Sequence, residues 1–555
     1  MVAVMYNNSR SWSSMSTFST KRGLRPFITA GLFLTFLLFC ASRYLYQDGF
    51  TYHSAGPPQF VTMNGDNLRS PGQTWDPPDI HDDGAWKSTG TSGKAVENEH
   101  VVGAASPADT KHEQEVLQSD SDWSEMTTNG CPRHWEYMAR VGVEQELTRK
   151  VMYTRSCIQP VFSSDTDPSE VVNVTDPIPK STVELDLVNC TVSEVPECKP
   201  IKLKVPLPYP KATYSEFMFG MATTFERLTD SIDPIAHWIS GTEAKLVAAV
   251  TDSQDKTTEE MEGLENKMRK AGIDAVLVGT LFEDYTAHFA VLEDMVEHSN
   301  EATKWFGLLD DDTFFPNLKP LADALAPLDY TTDVYAGVLS EDFGQIRIWG
   351  YMAYGGAGIY LSAPLAKKLA DQVYDCINTS SARQGDIIIR ECVYTRSKAK
   401  LTVIPGLHQQ DVTGDASGYF EAGLRPINLH HWKTWFEAPV VAMAKAADFC
   451  GGCFLQRWRF GNDTVLTNGY SIARYRDGVA SVDLGTVEGT WEKHTNDYDW
   501  SIGPIKRPYT PQEKQSFRLV EAEITPQGAL RQVYVWKGND SAGELDEVVE
   551  MIWQK

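Results

Sequence analysis

Between residues 217 and 310 the sequence alternates short apolar runs with longer polar segments. The apolar runs have the length of buried strands and lie at 217–223, 245–252, 274–280 and 304–310. The segments at 255–272 and 285–300 are typical of helices, and the first ends at Gly272. This alternation predicts a parallel sheet covered by helices, with ligands bound beyond the carboxyl ends of the strands.

The composition limits the kinds of partner. The chain has 555 residues, 42% of them apolar, which is enough for a sizeable core and too many for a wholly disordered protein. The length predicts two or more structural units. The net charge is −25, from 75 acidic and 50 basic residues. Because nucleic acids are bound through basic surfaces, we expect no nucleic-acid partner.

The N-terminal region predicts a membrane anchor. Residues 26–42 are 17 consecutive uncharged residues rich in Leu and Phe, and four basic residues precede them. The alternative is a cleaved signal peptide, but the leading segment is long, the apolar run exceeds a usual signal core, and no small-x-small site follows cleanly. We therefore expect a cytosolic tail at 1–25, a single-pass helix at 26–42, and translocation of the remaining chain.

Three further segments follow the anchor. Residues 43–130 are rich in Gly, Ser, Asp, Pro and Thr without a hydrophobic period, which predicts a flexible stem. Residues 131–455 are predicted to form the α/β domain, with its core at 210–440. Residues 456–555 contain short strand-like runs broken by Gly, Asn and Pro, which predicts a β-rich extension or small separate domain.

Cysteine usage and glycosylation motifs fit an oxidising lumen. Eight cysteines follow the anchor, enough for up to four disulfides, and the nearest pairs are Cys376/Cys392 and Cys450/Cys453. Five sequons also follow it, at Asn173, Asn189, Asn378, Asn462 and Asn539.

Three consecutive carboxylates, Asp310–Asp312, end the last strand of the alternating segment. Such carboxylates repel one another unless a cation neutralises them, and their oxygens suit Mg²⁺ or Mn²⁺. A cation there can bind a diphosphate. The alternative is a solvated acidic turn, which placement after a buried strand disfavours.

Two further features lie downstream. The sequence Gly355-Gly356-Ala357-Gly358 lacks the dinucleotide-binding spacing, but its glycines permit close approach of the backbone to a ligand or strand. Asp386 precedes three isoleucines. It is either the N-cap of a helix or a general base whose pKa is raised by apolar surroundings.

Residues 405–435 supply candidate metal ligands. His408, His430 and His431 lie beside two tryptophans within this segment. An imidazole from one of them would complete an oxygen-rich metal site.

The ordered set LLDDDTFF, YGGAGIYLS, GDIIIREC, GLHQQD and LHHW resembles the fringe-like β1,3-glycosyltransferases, glycosyltransferase family 31. The resemblance covers about 210–440, and fungal and plant fringe-related proteins are the most similar members. It implies an N-terminal membrane anchor, the GT-A nucleotide-diphospho-sugar transferase fold with its Rossmann-like mixed sheet, and an inverting reaction that uses Mn²⁺.

The resemblance also implies residue roles. Asp310 and Asp312 would form the metal and diphosphate motif, with Asp311, Gly355 and Gly356 completing the donor site. Asp386 would be the base, although relatives have two acidic residues where this chain has Gly385-Asp386. The histidine ligand would be His408 or His430, depending on which relatives are compared.

These observations together predict a single-pass type II Golgi membrane protein with a lumenal catalytic domain. Its predicted reaction is transfer of a hexose or N-acetylhexosamine from a UDP-sugar to a glycan or glycoprotein hydroxyl, in a β1,3 linkage. One alternative is a non-catalytic, lectin-like module on the same fold, and another is a metal-dependent hydrolase of nucleotide sugars.

Overall fold

The computed structural model describes most of the chain beyond residue 132. The described ranges all belong to the unit Thr89–Lys555, and they are 133–180, 183–192, 198–492, 499–539 and 542–554. The predicted tail, anchor and stem lie outside them. Within these ranges, no helix is long and apolar enough to cross a bilayer.

Among the described residues, one helix and five strands precede the alternating segment. They are α1 (Arg133–Glu144), β1 (Lys150–Phe162), β2 (Val171–Val174), β3 (Val183–Asp186), β4 (Thr191–Val192) and β5 (Pro200–Val205). Strand β1 pairs in parallel with β5 and antiparallel with β3. All five strands belong to a sheet that is separate from the α/β pattern and that also includes strands from the end of the chain.

The alternating segment folds as the sequence predicts. Its elements are β6 (Phe217–Thr223), α2 (Phe225–Asp230), α3 (Ile232–Ile239), β7 (Lys245–Val250), α4 (Thr258–Lys270), β8 (Asp274–Gly279), α5 (Asp284–Glu297) and β9 (Trp305–Leu308). Strands β9, β6, β7 and β8 are parallel neighbours in that order. Helix α4 begins with a capping box between Thr257 and Glu260 and ends before Gly272, whose φ is +85°.

The following residues complete this first sheet. They form α6 (Lys319–Leu325), β10 (Tyr335–Gly337), α7 (Phe343–Trp349), β11 (Ile359–Ser362), α8 (Ala363–Ala370), α9 (Val373–Thr379), α10 (Gly385–Arg396) and β12 (Leu401–Val403). The seven strands lie in the order β12-β10-β11-β9-β6-β7-β8, and β11 is antiparallel to both neighbours. The expected mixed α/β sheet is confirmed.

A second sheet contains eleven strands. The remaining elements are α11 (Ser417–Glu421), α12 (Val440–Cys450), β13 (Arg457–Phe460), β14 (Thr464–Thr467), β15 (Ser471–Tyr475), β16 (Val487–Glu488), β17 (Ile505–Lys506), β18 (Lys514–Ile524), β19 (Leu530–Trp536) and β20 (Glu547–Trp553). The path is β2-β13-β14-β15-β18-β19-β20-β1-β3-β4, with β5 beside β1, while β16 and β17 pair separately.

The last hundred residues are therefore not separate from the rest. Strand β20 pairs with β1, and β13 pairs with β2, so the second sheet combines both ends of the described chain. Helix α12 packs against β18 and also against α3 of the first sheet. One cluster of buried apolar side chains includes Phe219 and Trp305 from the first sheet and Trp458 and Trp553 from the second. A domain boundary at 455/456 would cut through this shared core.

Three disulfides lie within the described ranges. The two pairs nearest in sequence, Cys376–Cys392 and Cys450–Cys453, are both formed. The third, Cys157–Cys198, links β1 to the segment before β5. The disulfides therefore connect β1 to the segment before β5, α9 to α10, and the end of α12 to the turn that follows it.

Candidate active site

Four chain segments meet at the carboxyl end of β9. They are the Asp310–Asp312 turn after β9, a 3₁₀ turn at Gly355–Ala357, the first turn of α10, and the loop that carries His430 and His431. The parallel part of the sheet brings the first of these to the edge where ligands bind in open α/β sheets.

Asp312, His430 and His431 form a cluster that could hold a metal ion. His430 Nε2 lies 3.2 Å from Asp312 Oδ1 and 3.4 Å from Asp310 Oδ2. His431 Nδ1 lies 3.9 Å from Asp312 Oδ2. Asp312 and His430 are buried, whereas the side chain of Asp310 is 41% exposed. Asp312 is thus the carboxylate that both imidazoles face.

The far nitrogen of each imidazole is held by an oxygen. His430 Nδ1 lies 2.7 Å from the carbonyl oxygen of Gln409, which can only accept a hydrogen bond. His431 Nε2 lies 3.2 Å from Asp411 Oδ1, and its ring stacks on Trp435 at 3.8 Å. These partners place a proton on the far nitrogens, so that the near nitrogens face Asp312 as potential metal ligands.

The electrostatics of this cluster favour a cation. Burial lowers the pKa of His430, but the charges of Asp312 and Asp310 outweigh it and hold the pKa well above its ordinary value. Burial raises the pKa of Asp312, but His430 and His431 outweigh it and hold that pKa below its ordinary range. A divalent cation at His430 Nε2 would replace a proton there. Carboxylate and imidazole donors together suit Mn²⁺ better than Mg²⁺.

The middle carboxylate of the motif points elsewhere. Asp311 is buried, and its Oδ2 accepts hydrogen bonds from Thr223 Oγ1 at 2.5 Å and Arg227 Nε at 2.6 Å. Arg227 Nη2 also donates to Asp311 Oδ1. Asp311 therefore joins the turn to the end of β6 and to α2, and it is not part of the metal cluster.

Asp386 lies in the first turn of α10 but does not cap it. The N-cap position is occupied by Gln384, and Asp386 Oδ2 instead accepts a hydrogen bond from the backbone N–H of Gly355 at 2.9 Å. Burial raises the pKa of Asp386 to about 6, and the charge of Asp310 adds to this while His288 opposes it. The side chain thus lies in the site, and its raised pKa would let it accept a proton near neutral pH.

The two glycines let the site close up. A Cβ on Gly355 would lie 2.9 Å from Asp386 Oδ1 and 3.0 Å from Asp310 Oδ1. A Cβ on Gly356 would lie 2.0 Å from His430 Cε1. The diglycine therefore lies between Asp386 and the cluster of Asp312, His430 and His431, and there is no space for a side chain at either glycine.

His408 is not brought into the cluster. Its Nδ1 lies 2.7 Å from Glu341 Oε1, and Glu341 also accepts hydrogen bonds from the backbone N–H groups of Gln409 and Gln410. His408 therefore helps to shape the loop that carries the Gln409 carbonyl. Of the two predicted histidine ligands, only His430 lies among the aspartates.

Sequence reasoning missed His288 and the support of His431. His288 projects from α5, with Nδ1 3.6 Å from Asp310 Oδ1 and Nε2 3.6 Å from Asp386 Oδ1. The sequence does contain a signal for His288, because this histidine interrupts the otherwise apolar run Ala287–Leu292. The structure shows that it is buried. The contact of Asp411 with His431 had no such signal, because it depends on the shape of a loop.

One family model matches this part of the sequence. It is described as "Protein of unknown function, DUF604" and matches residues 346–443. That span contains the diglycine, Asp386 and the three histidines, whereas Asp310–Asp312 precede it. No curated protein matches the chain.

Several solved structures of glycosyltransferases are similar to part of the chain. Apo GlyE of Streptococcus pneumoniae is 14% identical with a TM-score of 0.23, and the match covers 33% of this chain and 45% of GlyE. The mannosyltransferase PcManGT from Pyrobaculum calidifontis, in complex with GDP-Man and Mn²⁺, is 12% identical with a TM-score of 0.24, covering 39% and 63%. Mouse xyloside xylosyltransferase 1 is 10% identical with a TM-score of 0.21, covering 36% and 80%. Each similarity covers less than half of the present chain, and the chain spans less than half the length of apo GlyE.

Proposed function

We propose that the chain is an inverting, metal-dependent glycosyltransferase of the fringe-like type. It would move a hexose or N-acetylhexosamine from a UDP-sugar to a hydroxyl of a glycan or glycoprotein, in a β1,3 linkage. The observation that carries this proposal is the placement of a carboxylate of raised pKa, Asp386, across a diglycine from a carboxylate–imidazole cluster.

The donor would bind at the cluster. Asp312, His430 and His431 would hold Mn²⁺ or Mg²⁺, with Asp310 beside them. When bound, the ion supplies positive charge to the diphosphate and to the departing UDP. Lys433 adds charge from the protein, since its Nζ lies 3.4 Å from the carbonyl oxygen of Asp311. Asp311 keeps the turn in place through Arg227.

The acceptor would be activated by Asp386. The Gly355 N–H fixes Oδ2, so the carboxylate has a defined orientation. Neighbouring apolar side chains, Met352, Tyr354 and Ile387, form a small cluster next to it. The acceptor O–H gives its proton to Asp386 as the acceptor oxygen bonds to the sugar C1 and the bond from C1 to the diphosphate breaks. Attack from the face opposite the diphosphate inverts the anomeric centre.

A lumenal Golgi location completes the proposal, with the anchor at 26–42 and type II topology. Three disulfides in the described ranges support an oxidising compartment. The side chains of the five sequon asparagines are also exposed, as acceptors of N-glycans must be.

The test is UDP release by the purified full chain with Mn²⁺, across a panel of UDP-sugars and neutral glycan acceptors. We expect release that depends on both one donor and one acceptor, and that is lost in Asp386→Asn. Release without an acceptor would favour the hydrolase. Silence with every donor, together with glycan binding, would favour the lectin-like module.

The matched control is Glu391→Gln, on the same helix as Asp386. Glu391 accepts hydrogen bonds from Ser380 and Ser381 and does not contact the cluster. Its substitution should leave transfer near the parent rate. Equal loss in both variants would point to a general effect on α10 and contradict the role of Asp386.

A further inference from the structure

A cavity lies on the eleven-stranded sheet, away from the residues of the candidate active site. Its volume is ≈ 270 Å³, and it is open to solvent rather than enclosed. Lys514, Ser516 and Arg518 of β18 form its floor, and Glu488 of β16, Asp415 and Trp536 contribute walls. None of the proposed metal ligands, nor Asp386, lines it.

The charged groups of this cavity are already paired. Lys514 Nζ lies 2.6 Å from Glu488 Oε2, and Arg518 Nη2 lies 2.8 Å from Asp415 Oδ1. Beneath them Glu421 accepts hydrogen bonds from both Lys514 and Arg518, at 3.1 and 3.2 Å. An anionic ligand would have to compete with these carboxylates, and a cation with the two basic groups. The lining therefore favours an uncharged ligand.

Hydrogen-bonding capacity nevertheless remains. The Arg518 guanidinium has five N–H donors, and its side chain is 31% exposed. The carboxylate of Asp415 is 47% exposed and has lone pairs beyond the one that binds Arg518. Ser516 also lines the cavity, and its Oγ can both donate and accept a hydrogen bond. Donors and acceptors side by side match the hydroxyls of a sugar, which do both.

Ring surfaces complete the lining. Trp536, Pro508 and Pro511 offer apolar surface for the C–H side of a pyranose, while the Tyr509 ring already contacts Lys506, Arg507 and Lys514. Trp536 packs against the main core, and the backbone N–H of Tyr509 donates to Glu488 Oε1 at 2.8 Å. The walls are therefore fixed before a ligand enters, which reduces the entropy lost on binding.

We propose that this cavity binds one neutral sugar residue of a glycan, at a site separate from the catalytic centre. Binding here requires no transfer, so the inference goes beyond the proposed function and does not depend on it. Its chemical class is a neutral hexose or N-acetylhexosamine, whether free or at the end of a glycoprotein chain.

The test is saturation-transfer NMR on the purified full chain, with methyl glycosides of neutral hexoses and N-acetylhexosamines as probes. We expect at least one to bind, and methyl glucuronate and UDP to leave that signal in place. Ser516→Tyr fills the cavity, and we expect affinity to fall by at least about tenfold, equivalent to about 1.4 kcal/mol. Ser516→Ala keeps the cavity open and should have a smaller effect.

Two further variants distinguish binding in this cavity from binding at the metal cluster and from a loss of folding. Asp312→Ala, in the metal cluster, should leave the signal unchanged. If Ser516→Tyr lowers the melting temperature, Pro511→Trp fills the cavity from its exposed rim and should reduce binding in the same way. The proposal is overturned if no probe binds. It is also overturned if probe binding is lost in Asp312→Ala or in the presence of UDP but is retained in the cavity-filling variants.

Discussion

Arg227 holds Asp311 through two hydrogen bonds, and so removes the middle carboxylate of the Asp310–Asp312 motif from the metal cluster. The three aspartates look equivalent in the sequence, yet they have different partners. Asp312 faces His430, Asp310 lies between His430 and His288, and Asp311 faces α2. The motif therefore combines a structural carboxylate, Asp311, with one that lies in the candidate metal cluster, Asp312.

Substitutions at Asp311 and Asp312 should separate these roles. Asp311→Asn loses the ion pair with Arg227 and should reduce the free energy of unfolding by about 1–3 kcal/mol. Asp312→Asn also takes a charged partner from the buried His430, so it should reduce stability as well, but it alone should abolish Mn²⁺-dependent UDP binding. Thermal melts and isothermal titration with UDP, with and without Mn²⁺, measure both effects. Equal loss of UDP binding in the two variants would contradict this division.

His430 and His408 provide a second contrast. His430→Ala should weaken Mn²⁺ binding by more than the about 10–100-fold typical of an outer-shell partner, because Nε2 is a proposed ligand. His408→Ala should weaken Mn²⁺ binding far less than His430→Ala does and should reduce stability, because it leaves Glu341 without its imidazole partner. Titration of Mn²⁺ followed by electron paramagnetic resonance checks both. If His408→Ala lost Mn²⁺ binding while His430→Ala kept it, His408 and not His430 would be the metal ligand.

The fold was predictable where local patterns determine it. The strands of the first sheet are buried on both faces, so they read as continuous apolar runs, and the helices between them have their own caps. The second sheet has no such signature. Met152 lies opposite Glu547, and pairings at that sequence separation depend on how the whole chain packs. For this reason the C-terminal strands suggested a separate extension.

In the candidate site, the positions of Asp310 and Asp312 were predictable from the sequence, but the contacts made by the loops were not. Asp310 and Asp312 end a buried strand, and the topology brings such positions to the ligand-binding edge. Composition could not show that Asp311 turns toward Arg227, nor that His431 rather than His408 accompanies His430. Those outcomes depend on individual loop contacts, such as the bond between His431 and Asp411.

The pH dependence of transfer should report the raised pKa of Asp386. A base must be unprotonated, and burial raises the pKa of this carboxyl to about 6. Turnover at saturating donor and Mn²⁺ should therefore rise with pH through about 6 and level off above it. UDP binding should be measured over the same pH range. If UDP binding stays constant while turnover falls, the fall is due to protonation of Asp386 and not of the metal cluster.

The variant Asp386→Asn tests directly whether this carboxyl causes the rise in turnover near pH 6. It should reduce turnover by about 10²–10⁴-fold, remove the rise near pH 6, and leave UDP binding intact. Glu391→Gln should keep both the rate and the profile. If turnover of Asp386→Asn still rose with pH near 6, another group would be responsible for the pH dependence.

Gly356→Ala tests the packing between the diglycine and the metal cluster. Its new Cβ would lie 2.0 Å from the ring of His430, which is only 1% exposed and is held by the Gln409 carbonyl at 2.7 Å. The ring can move away only by giving up that hydrogen bond and its place beside Asp312. We therefore expect weaker Mn²⁺ binding, together with a loss of about 1–3 kcal/mol in the free energy of unfolding from overpacking.

The matched control for this variant is Gly263→Ala in helix α4. Nothing lies within 4 Å of a Cβ at Gly263, so alanine there should raise the free energy of unfolding by about 0.5–1 kcal/mol and leave Mn²⁺ binding unchanged. Both variants are compared by Mn²⁺ titration and thermal unfolding. If Gly356→Ala bound Mn²⁺ as tightly as the parent protein, His430 could not be a ligand held in place by this contact, and the metal would have to be sought among Asp312, His431 and Asp310 alone.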